Sequence, residues 1–245
     1  MTLLRKVAVV TDDANRLPVH TLTFSTPSGT DYLDCDISMG DVVKVVVPNY
    51  KPKSYSMSAA RPGEFDITFK VYPDGRASGY LDRVEIGQSI TVFGLPKGKV
   101  RQEGSHVGFI AYGVGITEAL PIAAAELQKN DSSKVLLLWA SKTTGDTFWH
   151  EEIMRLQEEY EARFDFKEIL SREKKENALH GRINPSVLRE VFDGTWGTEP
   201  EGEMAHMRAG VRFLVVGTKE MMRETDKLLA SIGYEQPTHA LLGRN

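Results

Sequence analysis

Four short segments hold the residue types that could do chemistry, and their order matters more than any one of them. Lys53-Ser54-Tyr55-Ser56 and Gly75-Arg76-Ala77-Ser78 come first, in a strand-rich region. Gly113-Val114-Gly115-Ile116-Thr117 and Ser171-Arg172 follow, where strands and helices alternate. Holding a flavin takes a flat ring contact, a hydrogen-bond partner for the reactive ring nitrogen, and cations or amides for phosphate. Tyr55, Ser56 and Lys53 can supply these in that order; the blander alternative is a solvated strand end with a buried tyrosine. In the second segment a glycine turn leads into a short helix, whose first N–H groups can take a pyrophosphate. In the third, glycines between a buried strand and a helix let backbone approach a phosphate. The first pair reads as a flavin cradle and the second as a nicotinamide dinucleotide cradle, so the chemistry implied is hydride transfer onto a flavin.

The elements that must position these residues change character along the chain. Val7–Val10, Thr21–Phe24, Val42–Val47, Phe65–Tyr72 and Ser89–Phe93 are short runs rich in β-branched and aromatic residues, separated by turn residues such as Pro27-Ser28-Gly29 and Pro73-Asp74-Gly75. This spacing predicts an antiparallel β-barrel or sandwich. From Gly104 onward, buried-type strands at His106–Ala111, Lys134–Ala140, Phe164–Leu170 and Val211–Val216 alternate with helices. The helices are predicted at Thr117–Lys129, after Asp146 as a cap, at Pro185–Phe192 and at Thr218–Ile232; a last strand is predicted at Thr238–Leu242. Such alternation predicts an α/β domain with a parallel sheet covered on both faces. The expected domains are residues 1–103, a flavin-binding β-barrel, and 104–245, a nucleotide-binding α/β domain.

At this point the chain resembles the ferredoxin–NADP reductase superfamily, with its flavodoxin reductase and cytochrome b5 reductase branches, over nearly its whole length. Lys53-Ser54-Tyr55-Ser56 is similar to the family's Arg-x-Tyr-Ser/Thr, and Gly75-Arg76-Ala77-Ser78 to its Gly-x-x-Ser turn. Gly87-Gln88, Gly94-Leu95-Pro96 and the Gly113–Ile116 loop follow in the family's order. The resemblance implies that Ser56 bonds the flavin N5 edge as the catalytic residue and that Tyr55 packs on the ring. It implies that Lys53, Lys70, Tyr72 and the turn Gly75, Arg76, Ala77 and Ser78 hold the ribityl and phosphate parts. Gly113, Gly115, Ile116, Thr117, Ser141, Lys142, Ser171, Arg172 and Gly217 would line the nucleotide site. The implied cofactor is FAD, with FMN as the alternative, and electrons would pass on to a separate acceptor such as ferredoxin or flavodoxin.

The choice of nucleotide has a physical basis. An acid after the second strand would bond a ribose 2′-OH and repel a 2′-phosphate, but that strand ends in Ala140-Ser141-Lys142. The third ends in Ser171-Arg172, with Lys174 and Lys175 nearby, a set that suits a phosphate monoester. Glu173 and Glu176 also fit a plain solvated loop. NADPH is expected over NADH. Departures from the family pattern are Lys53 in place of arginine, which keeps the charge and loses the bidentate fork, Glu118 in place of the loop proline, Val216 in place of cysteine, and a tail without a terminal aromatic. They keep a second reading open: a reductase-like binding or regulatory module with little turnover.

Composition narrows the classes. The 245 residues suffice for two domains, and a net charge of -4 gives no general affinity for nucleic acid. No apolar run approaches a membrane span and the start lacks a signal-peptide core, so a soluble, cytoplasmic protein is expected. The single cysteine, Cys35, cannot form an internal disulfide or hold an iron–sulfur cluster. Met204, His206 and Met207 lie in a polar stretch, 193–210, that reads as a loop, and no metal site is expected there.

Overall fold

The computed structural model describes residues 1–11, 16–25, 42–93, 106–128, 134–196 and 211–234. The chain folds as two compact units, Met1–Gly98 and Lys99–Asn245. The boundary expected at residues 103–104 lies outside the described residues. So do Cys35, the segment carrying Met204, His206 and Met207, and the strand expected at 238–242.

The first unit is antiparallel. Strands β1 (Thr2–Val10), β2 (Val19–Ser25), β6 (Glu64–Lys70) and β5 (Ala59–Arg61) form one sheet in the order β1-β2-β6-β5. Strands β4 (Lys53–Ser56), β3 (Val42–Val45) and β7 (Val92–Phe93) form a second, in the order β4-β3-β7. The segment before β7 closes onto β1: Leu3 N–H donates to Gln88 O at 2.9 Å, and Gly87 N–H donates to Leu3 O at 2.8 Å. The result is the expected barrel, filled by Leu3, Leu22, Phe24, Val45, Ile67 and Leu81. β1 begins at Thr2, well before the β-branched run expected at Val7–Val10. Register shifts at Leu3/Arg5 and Ala8/Val10 break the period-2 pattern that marks a strand in sequence. Helix α1 (Arg76–Asp82) is the unit's one described helix and buries Ala77, Ser78 and Leu81.

The second unit is a parallel sheet. Its strands are β8 (His106–Tyr112), β9 (Lys134–Ser141), β10 (Phe164–Leu170), β11 (Leu179–His180) and β12 (Val211–Val216), in the order β11-β10-β9-β8-β12. Chain order runs outward from β8 to one side, then returns to its other side. The carboxyl ends of β8 and β12 therefore form the topological switch point, where open α/β sheets bind ligands. Helix α2 (Ile116–Gln128) follows a 3₁₀ turn at Gly113–Gly115. Helix α3 (His150–Glu159) buries Ile153 and Leu156, as its stripe predicts.

Asp146 is not the cap of α3. It ends a 3₁₀ turn at Thr144–Asp146 and accepts a hydrogen bond from Thr143 Oγ1 at 3.0 Å. Phe148, only 5% exposed, packs edge-on against Trp139 and holds the chain extended beyond that turn. The helix then starts after Trp149, which sits at φ 62°. The helix expected at Pro185–Phe192 is present but not α throughout: α4 (Pro185–Leu188) passes through a π turn, Arg189–Asp193, into α5 (Gly194–Trp196). Helix α6 (Lys219–Ser231) starts at Thr218, whose hydroxyl accepts from Met221 N–H at 3.2 Å.

Candidate functional site

In the first unit, the expected flavin residues sit on β4, at the end of β6 and in the turn into α1. β4 runs antiparallel to β3, placing Ser56 opposite Val42 and Tyr55 opposite Val43. Its exposure falls along the strand: Lys53 and Ser54 are exposed, Tyr55 half-buried and Ser56 buried. The Tyr55 ring meets Phe69 of β6 edge-on at 6.0 Å. Burial pushes its hydroxyl up to about 12, so the phenol stays neutral and can donate. Lys70 ends β6, and Tyr72, which follows it, is half-exposed.

The turn into α1 is tightly specified. Ser78 Oγ accepts from Tyr72 N–H at 3.2 Å and donates to Gly75 O at 3.2 Å. A Cβ on Gly75 would fall 2.1 Å from Ser78 Oγ and 3.0 Å from Tyr72 Cβ, so only glycine fits. The hydroxyl expected to reach a phosphate thus closes the turn. What remains for an anion is the first-turn N–H groups of Arg76, Ala77 and Ser78, which have no intrahelical acceptor and no side-chain cap. Arg76 adds a guanidinium lying 5.4 Å from the Tyr50 ring centroid, a cation–π contact that orients it. Backbone donors, an oriented cation and a ring beside a buried serine fit the phosphate and ring ends of a flavin. Tyr50 was missed in the sequence because nothing local links it to Arg76.

In the second unit, every expected nucleotide residue lies at the carboxyl edge of the same sheet. Gly113 and Gly115 follow β8, Ser141 and Lys142 end β9, Ser171 and Arg172 follow β10, and Gly217 follows β12 beside the Tyr112 ring. Two backbone bonds bring the middle pair together: Ser171 N–H to Ser141 O at 3.0 Å and Arg172 N–H to Lys142 O at 2.9 Å. A Cβ on Gly115 would lie 2.7 Å from Val216 O, so glycine lets the turn after β8 pack onto the end of β12. Gly113 takes φ +53°, which glycine adopts without strain. Ile116 is fully buried, and Thr117 uses its hydroxyl within the turn, donating to Val114 O at 2.8 Å; these two shape the loop. Ser141 Oγ is buried and has no hydrogen-bond partner among the described residues. An orphaned hydroxyl at this edge fits a polar ligand.

Three positioning groups were not foreseen. Trp139, fully buried in β9, donates its indole N–H to Gly113 O at 2.8 Å and so anchors the glycine turn. Tyr112 and Thr225 join β8 to α6 through a 2.7 Å hydroxyl pair, and burial raises the tyrosine despite that bond. Glu173 accepts from Thr144 N–H at 2.8 Å and from its hydroxyl at 3.0 Å. An acid therefore does stand by the end of the second strand, delivered from the third. A buried tryptophan in an otherwise aliphatic strand was the one signal in the sequence, since an indole N–H needs an acceptor.

Comparison with known proteins gives the same division. Residues 6–101 match the oxidoreductase FAD-binding domain family and residues 109–227 the oxidoreductase NAD-binding domain family. NADH-cytochrome b5 reductase 1 of Cryptococcus neoformans is 30% identical over 226 residues, covering 87% of this chain and 74% of that protein. The protein of that name from Dictyostelium discoideum is 33% identical over 144 residues, 56% of this chain and 50% of its own. The cytochrome b5 reductase domain of Ulva prolifera nitrate reductase superposes with a TM-score of 0.77 at 19% identity, covering 97% of this chain and 94% of that one. Ferredoxin-NADP+ reductase from Plasmodium falciparum gives 0.67 at 16% identity, covering 94% and 88%.

Proposed function

Because the chain belongs to the ferredoxin–NADP reductase superfamily, which includes the cytochrome b5 reductases, we propose that it carries electrons from NADH through FAD to a small haem protein of the cytochrome b5 kind. It is a flavin-dependent oxidoreductase that uses a nicotinamide dinucleotide. The relatives' names move the proposed acceptor away from ferredoxin or flavodoxin. The observation that carries the reading is the gathering of four loops at the carboxyl edge of one parallel sheet, around the β8/β12 switch point.

When bound, the flavin supplies the hydride acceptor and passes electrons on singly or in pairs. The chain's part is binding, orientation and electrostatics. Arg76, Lys53 and the first-turn amides of α1 offset phosphate charge. Ser56 offers a hydroxyl and Tyr55 a half-buried ring whose phenol is neutral. Gly113 and Gly115 let backbone reach the dinucleotide phosphates, and Ser141 offers a hydroxyl that has no hydrogen-bond partner among the described residues.

NADH is the proposed donor and NADPH a second one it accepts; the relatives' names carry NADH and do not support the expected preference for NADPH. Ser171 presents no carboxylate to a 2′-phosphate, and Arg172 and Lys174 are exposed beside it. Glu173 and Glu168 offset that charge, the latter by pairing with Lys175 at 2.9 Å. Opposed charges of this kind leave discrimination between the two within about ten-fold in kcat/KM. Anaerobic titration of the flavin-loaded protein with each nucleotide tests this, followed by mixing with oxidised cytochrome b5. Bleaching by both and rapid haem reduction are expected. Protein that takes up no flavin would sink the proposal; flavin binding without bleaching would return the chain to the binding-module reading.

A further inference from the structure

A carboxylate inside a covered parallel strand is costly unless it is paired, and β10 carries one. Glu168 is 6% exposed and lies opposite Trp139 of β9. Its Oε2 accepts from Lys175 Nζ at 2.9 Å, and its Oε1 lies 3.8 Å from His150 Nε2. Lys175 belongs to the loop that leaves β10 with Ser171 and Arg172. That loop is pinned to the end of β9 by Ser171 and Arg172 N–H groups and by Glu173 on Thr144. The loop's three neighbouring cations are all exposed, and Arg172 and Lys174 make no ion pair with a described residue. Lys175 is turned back onto the buried carboxylate.

We propose that Glu168 is a positioning residue for nucleotide choice: by holding Lys175 it withdraws one cation from the ribose 2′ subsite and limits preference for a 2′-phosphate. The inference rests on the nucleotide site described above. A phosphate monoester gains from each cation that can reach it, and an ammonium held by a desolvated carboxylate gains little by leaving it. Neutralising Glu168 releases Lys175 to the loop.

The test is isothermal titration of the flavin-loaded full chain with adenosine 2′,5′-bisphosphate and with 5′-AMP, which differ only in the 2′-phosphate. In Glu168→Gln the affinity ratio of the first to the second should rise about five-fold, the worth of one partly exposed charge pair. The gain should vanish in Glu168→Gln combined with Lys175→Gln, while Lys175→Gln alone keeps the wild-type ratio. Mere damage to β10 would weaken both ligands together and leave the ratio unmoved. An unchanged ratio in Glu168→Gln overturns the proposal, as does a gain that persists in the double variant. If Glu168→Gln does not fold, Lys175→Gln decides: a wild-type ratio supports the proposal and a lowered one overturns it. Wild-type protein that binds neither ligand overturns the nucleotide-site reading itself.

Discussion

Single atoms decide the two glycine turns. At Gly75 a methyl group would collide with the Ser78 hydroxyl and the Tyr72 backbone, the atoms that hold the first turn of α1 in place. Gly75→Ala should therefore weaken FAD binding by about ten-fold or more, the effect of about 1–3 kcal/mol of overpacking. Fluorescence titration of the apoprotein checks this, and unchanged affinity would show the turn to be irrelevant to the flavin. At Gly115 the same methyl meets Val216 O. Gly115→Ala should raise the KM for NADH about ten-fold and leave the flavin absorption spectrum as it was; a shifted spectrum with normal KM would contradict the assignment. Trp139→Phe keeps a buried ring and removes the donor to Gly113 O. A few-fold rise in KM is expected, from about 1 kcal/mol for one lost hydrogen bond.

At the scale of elements, α1 matters through both its ends. Its start faces the proposed phosphates, and its last residue, Asp82, is tied to β1 and β2. Lys6 Nζ lies 3.1 Å from Asp82 Oδ1 and also donates to the Asp82 carbonyl; His20 Nδ1 lies 2.7 Å from the same Oδ1. Burial pushes the carboxyl up, but its bonds and charges with Lys6 and His20 together hold it below 3.8. A carboxyl lowered in the folded state contributes fully above its unfolded value and loses that contribution as pH falls through the folded one. Asp82→Asn should thus be less stable than wild type at neutral pH, with the gap closing from about pH 4 downward. Denaturant unfolding at stepped pH measures it; a gap constant down to pH 2 would remove the carboxylate from the account. Strand–helix alternation made the parallel sheet legible without any structure, because covered strands are apolar on both faces. β1 was only half legible because its bulges erase the alternation, and β5 was missed because three half-buried residues carry no period.

For the whole molecule, two units with separate cores make ligand effects separable. Free FAD at a hundred times its dissociation constant should stabilise the first unit by about 2.7 kcal/mol through mass action alone. Calorimetry with and without FAD should show that shift, and an unmoved transition would contradict a flavin site in the barrel. The amino-acid sequence by itself determined the two fold classes and the order of the candidate segments and loops. These follow from local properties: hydrophobic period, turn chemistry, and glycine where backbone must come close. Only the tertiary structure decided that Ser78 closes its own turn, that Trp139 anchors Gly113, that Glu173 reaches Thr144, and that Glu168 holds Lys175. The last three pairings join residues from different elements or loops, and Ser78 closes its turn against backbone atoms in the segment before its helix. A spacing along the chain does not encode such encounters, because packing of the sheet and its loops sets which donor meets which acceptor.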